Sequence, residues 1–366
     1  MLGLWIATAL ADDPSTVNVG GLVEAYYAYN LNNPANGVTA LRGFDSRHDS
    51  AALSLAAVHV AVNHPTLRGR VALQAGATPA SYFAAEPSTA GGFAVAPTDA
   101  TTFRAVREAW VGGRAPVLGG LSVDGGVFLS PVGFDSIAVK DNRFWSLSNL
   151  GVGLPFYFTG ARAVLDLDQG TVLTLGAFNG WNSVVDNNRG KSVALYATHT
   201  FASGASAQVL YLGGPELPTA GAPWRHTFDA WATFPVGPVT LLAGADAGLE
   251  ARDAGMRSWQ AGQLGADVTV DDWSFGVRGD VFREDGPDDA LGSIFWPTPL
   301  LGEVTASAGF RPTDGLLVRL EARHDRAADP VFFGDDPTLP TETTQTTVTL
   351  GVTGWFDTKI PFPTEE

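Results

Sequence analysis

The feature that most constrains this chain is alternation: apolar and polar side chains change places at every second residue, in segments about ten residues long. Around 316–325, Val318, Leu320 and Ala322 point one way and Arg319, Glu321 and Arg323 the other. Trp273, Phe275, Val277 and Val281 oppose Ser274, Arg278 and Asp280, and Ala161, Ala163, Leu165 and Leu167 oppose Arg162, Asp166 and Asp168. Val239, Leu241, Ala243, Ala245 and Leu249 oppose Thr240, Asp246 and Glu250, and Val348, Leu350 and Val352 oppose Thr347, Thr349 and Thr353. Ten residues is roughly the length of a tilted strand that crosses a bilayer. A soluble antiparallel sheet with one wet face would show the same period, so the connections have to decide.

Strands are expected near 17–30, 50–62, 67–77, 102–113, 119–129, 156–168, 171–181, 191–202, 205–213, 224–235, 239–250, 258–270, 273–284, 301–311, 315–326 and 343–357, sixteen or so in all. Tight, turn-forming connections at 63–66, 114–116, 169–170, 203–204, 236–238, 271–272 and 312–314 alternate with longer ones at 31–49, 78–101, 130–155, 182–190, 214–223, 251–257, 285–300 and 327–342. Short turns on one rim, long loops on the other and an even strand count describe a transmembrane antiparallel up-and-down β-barrel, with short periplasmic turns and long extracellular loops. Lipid offers no partner to a sheet edge, so such a sheet has to close. Tyr27, Tyr29, Tyr157, Trp181, Phe201, Phe234, Trp273, Phe310 and Phe356 lie near strand ends, where interfacial aromatic girdles are expected. Glycines such as Gly76, Gly176 and Gly276 suit the curvature of a closing sheet. The parity breaks twice. Arg107 falls on the lipid side, which a position at the rim would reconcile, and Val58, Val60 and Val62 are out of phase with Leu53 and Leu55, which a bulge near Ala56 or Ala57 would repair.

Composition removes other classes. With no cysteine, disulfide scaffolds and cysteine-ligated metals are impossible. An excess of 38 acidic over 22 basic residues argues against nucleic-acid binding, which needs phosphate neutralisation. The apolar first eleven residues end in Ala9-Leu10-Ala11, a signal-peptidase pattern, so 1–11 reads as a secretory signal remnant and 12–366 as one barrel domain with a tail at 358–366. The longest charge-free stretch, 192–215, is broken by Ser, Thr, His, Gly and Gln and reads as two strands and a turn. No nucleophile elbow, zinc-helix or phosphate-loop motif occurs, and the six histidines lack a helical i, i+4 partner, so neither a catalytic site, a metal site nor a cofactor is expected. Asp166-Leu167-Asp168-Gln169-Gly170 has too few ligands for a calcium loop and reads as a turn.

Several fragments resemble one family. Gly21-Leu22-Val23-Glu24-Ala25-Tyr26-Tyr27-Ala28-Tyr29-Asn30, followed by Phe44-Asp45, is similar to the opening of the bacterial OmpL-like β-barrel porins. Arg107-Glu108-Ala109-Trp110-Val111, Ser130-Pro131-Val132-Gly133-Phe134-Asp135, Asn142-Arg143-Phe144-Trp145-Ser146 and Phe178-Asn179-Gly180-Trp181 resemble its middle, with a more distant similarity to phosphate-selective porins. The resemblance implies an outer-membrane porin: a water-filled channel for passive diffusion of small hydrophilic solutes and ions, with weak or no selectivity. It also implies outer-membrane lipid and the barrel-assembly machinery as partners, and a homotrimer among the assemblies open to it. Two features depart from the pattern. The chain continues for ten residues beyond Phe356, and the inward positions are not lysine-rich, so anion or phosphate selectivity does not carry over.

In sixteen-stranded porins the third loop commonly folds into the lumen, and 130–155 mixes Asp135, Lys140, Asp141 and Arg143 with Phe134, Phe144, Trp145 and Leu150, enough apolar bulk to rest on an inner wall. The residues expected to line the pore or its constriction are Arg70, Arg104, Glu108, Asp124, Asp135, Lys140 and Arg143 from the first half of the chain. Arg162, Asp166, Arg278, Asp280, Arg319, Glu321 and Arg323 complete the set. Inward acids, which include Glu24, Asp229, Asp246 and Asp267, slightly outnumber inward bases, so the expectation is a weakly cation-preferring or non-selective channel. An outer-membrane barrel enzyme and a soluble secreted carbohydrate-active β protein stay open as alternatives. Extraction only in detergent, with altered gel mobility when unheated, is the expected behaviour; recovery in the soluble fraction would favour the second alternative.

Overall fold

The computed structural model describes residues 15–86, 103–117, 120–167, 170–217, 221–289 and 291–362. The expected leader lies outside these residues. The described chain forms sixteen strands: β1 (Thr16–Asn30), β2 (Ser50–Asn63), β3 (Leu67–Ala75), β4 (Val106–Ala115), β5 (Leu121–Leu129), β6 (Tyr157–Leu167), β7 (Thr171–Phe178), β8 (Ser192–Thr200), β9 (Ser206–Pro215), β10 (Trp224–Val236), β11 (Val239–Arg252), β12 (Gly255–Val270), β13 (Trp273–Asp285), β14 (Leu300–Thr313), β15 (Leu316–Ala327) and β16 (Thr344–Pro361). Each pairs antiparallel with the next, and β16 returns to β1 in continuous register from Thr16↔Pro361 to Asn30↔Thr347, closing a barrel. β16 therefore runs on to Pro361, into the stretch expected to be a tail. No described helix is long and apolar enough to cross a membrane; the barrel presents strands instead.

On the loop rim the connections are L1 (31–49), L2 (76–105), L3 (130–156), L4 (179–191), L5 (216–223), L6 (253–254), L7 (286–299) and L8 (328–343). L6 corrects an expectation. The long loop at 251–257 is a two-residue turn, because pairing runs up to Arg252↔Gly255.

Burial is inverted relative to a water-soluble domain. Leu264 is 70% exposed and Val304 65%, whereas Glu24 is fully buried and Arg323 is 2% exposed. Exposed apolar bands are stable only against another apolar medium. Tyr27, Tyr29, Phe201, Phe234, Trp273 and Phe356 are exposed, and Phe310 lies 4.6 Å from the Trp273 ring, as an interfacial girdle requires. Two girdle expectations fail. Tyr157 is buried and stacks on Phe83 at 4.5 Å, and Trp181 sits in L4 with its ring 5.8 Å from Phe295. Alternation cannot separate an aromatic near a strand end that faces lipid from one that faces infolded loops.

Both breaks of parity are bulges. On β2 the register jumps from Glu24↔Leu55 to Ala25↔Leu53, leaving Ser54 as the extra residue. Leu53 faces out and Leu55 faces in, fully buried, so the bulge lies two residues before the expected place. The Ser54 hydroxyl meets Thr78 Oγ1 at 2.9 Å, and the Ser54 carbonyl abuts Gly76, whose φ of +124° and lack of Cβ the close approach requires. On β4, Ala72↔Glu108 is followed by Leu73↔Val106, which makes Arg107 the extra residue. Arg107 is accordingly not on the lipid side but 7% exposed and part of the lining of an internal cavity.

Val277 is mid-strand, outward and 56% exposed. Val277→Arg is expected to destabilise the folded barrel in lipid by about 2–4 kcal/mol, read from denaturant unfolding in vesicles, while a polar change at inward Ser307 should cost much less.

Candidate functional site

Charged residues concentrate on the inward face, where the low dielectric demands that each find partners. On β13–β15, Arg278 Nε donates to Glu303 Oε1 at 2.7 Å and Arg323 Nε to Asp325 Oδ1 at 2.7 Å. On the opposite wall, Asp124 of β5 receives both Arg68 of β3 (2.7 Å) and Arg162 of β6 (2.9 Å), and Arg70 pairs with Glu108 at 2.8 Å. The Arg68 and Arg162 guanidiniums lie 5.4 and 5.2 Å from the Trp110 ring, and Arg162 lies 4.2 Å from Phe128. These contacts fix both bases in place.

L3 lies along the inward face from β9 round to β1, and wall charges bond to its backbone. Trp145 N and Ser146 N donate to Glu321 at 2.6 and 3.1 Å, Asn149 N to Asp280 at 2.7 Å, Gly133 N to Asp229 at 3.1 Å and Val139 N to Glu24 at 2.7 Å. In return, Arg278 donates to the Ser146 carbonyl at 3.0 Å, Arg319 to the Asn142 carbonyl at 2.8 Å, and Arg323 to the Leu147 carbonyl and to Asn149 Oδ1. Arg143 pairs with Asp267, and Gln208 Nε2 reaches the Pro131 carbonyl at 2.7 Å. Inside the loop, Asp135 accepts from Ser148 N at 2.8 Å and from its hydroxyl at 2.6 Å, and Lys140 meets Asp141 at 2.6 Å. L3 has only a 3-10 turn (Val139–Asp141) and one short helix (Asn149–Gly153), so most of its backbone needs substitutes for water inside a lumen, and these side chains supply them. Steric room is provided as well. Trp145 rests on Gly351 of β16 and Phe144 on Gly276 of β13, where an added Cβ would fall 2.1 and 3.2 Å from the rings.

Toward the loop rim an apolar cluster packs inside the barrel: Leu150 and Leu154 of L3, Phe295 and Trp296 of L7 and Phe332 of L8 lie with Phe158, Trp259 and Phe282 of the wall. Glu86 of L2 ties L2 to L4. Burial pushes its carboxyl above the ordinary range, against the Tyr157 hydroxyl and the Val184 and Val185 amides that donate to it. In L1, burial works against ionised Asp45, yet the adjacent Arg42 guanidinium holds its carboxyl below the usual range. Below L3 a cavity of about 690 Å³ runs from turn-rim residues Thr16, Asn63 and Lys359 up to Ile137, Leu147 and Gly151.

Thus Arg278, Asp280, Arg319, Glu321 and Arg323 converge on L3. Arg70, Glu108, Asp124 and Arg162 form a separate group on β3–β6, with Asp166 beside Arg114 nearer the turn rim. Arg104 corrects the expectation: it precedes β4 in L2 and is exposed, and its carbonyl accepts from Gln74. Glu303 and Asp325 were missed although parity marks them, whereas Arg107, displaced by its bulge, and Arg42, in an irregular loop, carried no periodic signal. Among the described residues no group of acids and histidines is arranged to hold a metal ion. Gly351→Leu is expected to unseat Trp145 and free L3 without opening the barrel: cleavage within 130–156 by added protease should rise several-fold while heat-modifiable gel mobility is retained.

The fold and lumen agree with comparisons to known proteins. The family model described as "Putative beta-barrel porin-2, OmpL-like" matches residues 16–356. Among solved structures, OmpT of Vibrio cholerae is similar at 10% identity, with 96% of this chain and 100% of that chain covered and a TM-score of 0.59. The outer membrane channel DcaP of Acinetobacter baumannii (13% identity, 95% and 100% covered, TM-score 0.59) and the anion-selective porin of Comamonas acidovorans (14%, 93% and 100%, 0.59) share the architecture. A search of curated proteins gives no match. With the family model spanning nearly the whole barrel, the chain belongs to the OmpL-like β-barrel porins and is a porin of the bacterial outer membrane.

Proposed function

We propose that the barrel carries small hydrophilic solutes and ions by passive diffusion, with weak selectivity and no catalytic step, and that L3 forms its constriction. The observation that carries this reading is the interior itself: charged side chains engaged with one another and with L3, beside a cavity whose mixed lining includes Arg68, Arg70, Glu108 and Arg162. Opposed charges around a narrow opening create a transverse field that favours polar over apolar solutes. Arg70, Glu108, Asp124 and Arg162 would line the pathway on one side, with Asp135, Lys140 and Arg143 on the loop facing them and Arg278, Asp280, Arg319, Glu321 and Arg323 holding that loop.

The same reading treats 1–11 as a leader removed on export, surrounding lipid and the assembly machinery as partners, and homotrimers as the working form; OmpT of Vibrio cholerae has a trimer form. Purified protein in planar bilayers is expected to give discrete ohmic conductance steps without an energy source, and Gly351→Leu larger ones. A sealed membrane at all voltages for both proteins would overturn the reading, as would hydrolysis of an ester or glycoside by the folded barrel.

A further inference from the structure

We infer that the cavity beneath L3 is an anion-binding vestibule for small oxyanions, phosphate or carboxylate in type, anchored on Arg107, and that it gives the channel an anion preference. The inference rests on the porin reading and deepens it.

The chain as a whole is acidic, at −16, but its inward acids are unevenly spent. Glu24, Asp229, Asp280 and Glu321 are turned to the backbone amides of L3, and Glu303 and Asp325 to Arg278 and Arg323. The cavity lies toward the other wall. Among the described residues seven basic and four acidic side chains line it. Three of the acids there are occupied, Glu108 by Arg70, Asp141 by Lys140 and Asp135 by Ser148, and the fourth, Asp357, lies 3.8 Å from His59. Arg68 and Arg162 share the single carboxylate of Asp124. Arg107 and Lys359 line the cavity with no ion pair among the described residues, and Arg114 lies beside Asp166 and donates to the His64 carbonyl.

Arg107 is the most informative of these. It is 93% buried, its Nε has no hydrogen-bond partner among the described residues, and the acid nearest in influence, Glu24, is bonded through Oε1 to Val139 N of L3 while its Oε2 has no hydrogen-bond partner among them. The β4 bulge that turns it inward interrupts the pairing with β3. Glu24 is the charge that faces it, and the guanidinium's planar fork, with Nε unspent, matches the paired oxygens of a carboxylate or phosphate. Arg70, one strand away, lines the same cavity and is paired with Glu108.

The test uses the detergent-folded full chain and the variants Arg107→Gln and Arg107→Lys, each checked for heat-modifiable mobility. In equilibrium dialysis at low ionic strength, inorganic phosphate and succinate are the probes. Wild type is expected to bind at least one of them, phosphate alone or succinate alone telling which oxyanion fits, with affinity reduced by about tenfold or more in Arg107→Gln and partly kept in Arg107→Lys. In bilayers under a KCl gradient the wild-type reversal potential should have the chloride sign and shift toward potassium in Arg107→Gln, and added phosphate should reduce the wild-type chloride current. Cation preference in wild type, no binding of either probe, or binding equal in wild type and Arg107→Gln would overturn the inference. If an Arg107 variant fails to fold, the wild-type reversal potential and phosphate block decide it. If no conductance is seen at all, the porin reading fails while dialysis still decides the vestibule.

Discussion

A strand in hydrocarbon has no water to bond to, so every backbone amide and carbonyl must be answered by a neighbouring strand, and the neighbour in turn by another. The only arrangement that ends this regress is closure. The continuous pairing of β1 with β16 is therefore the constraint on which the rest depends. It fixes an inside and an outside, and the period-two pattern then assigns each residue to one of two solvents. Valine and leucine at exposed positions, and glutamate and arginine at buried ones, are consequences of the same closure.

Once the inside exists, its charges do two kinds of work. On β9–β15 and β1 they stand in for water around the backbone of L3: carboxylates accept from its amides and guanidiniums donate to its carbonyls. On β3–β6 they surround open space and are paired mainly with each other. A count of inward charges treats these two populations as one, which is why acids that outnumber bases in the sequence do not yield a negative cavity. Position relative to L3, and not number, decides which charges a solute meets.

Strand number, closure and the sidedness of most residues were legible in the sequence, because each rests on local periodicity and turn chemistry. L6 was not, since nothing in the composition of 251–257 distinguishes a loop from two strands that continue to pair. Arg107 was misplaced for a related reason: a bulge is a relation between two strands, and β4 alone shows only a residue out of phase. The fate of Tyr157, Trp181 and Arg104 likewise depends on where irregular loops come to rest, which no period encodes. The composition of 130–155 mixes charge with apolar bulk but names none of the loop's partners, because most of those lie more than a hundred residues away in the chain.

L3 is held on both sides of the seam that closes the barrel. Val139 is bonded to Glu24 on the first strand, Trp145 lies on Gly351 of the last, and Ser146 is bonded to Glu321 on the strand before it. A loop held in this way has all of its partners only when the two ends of the chain have met. A barrel with an open seam lacks part of the berth for its own inner loop.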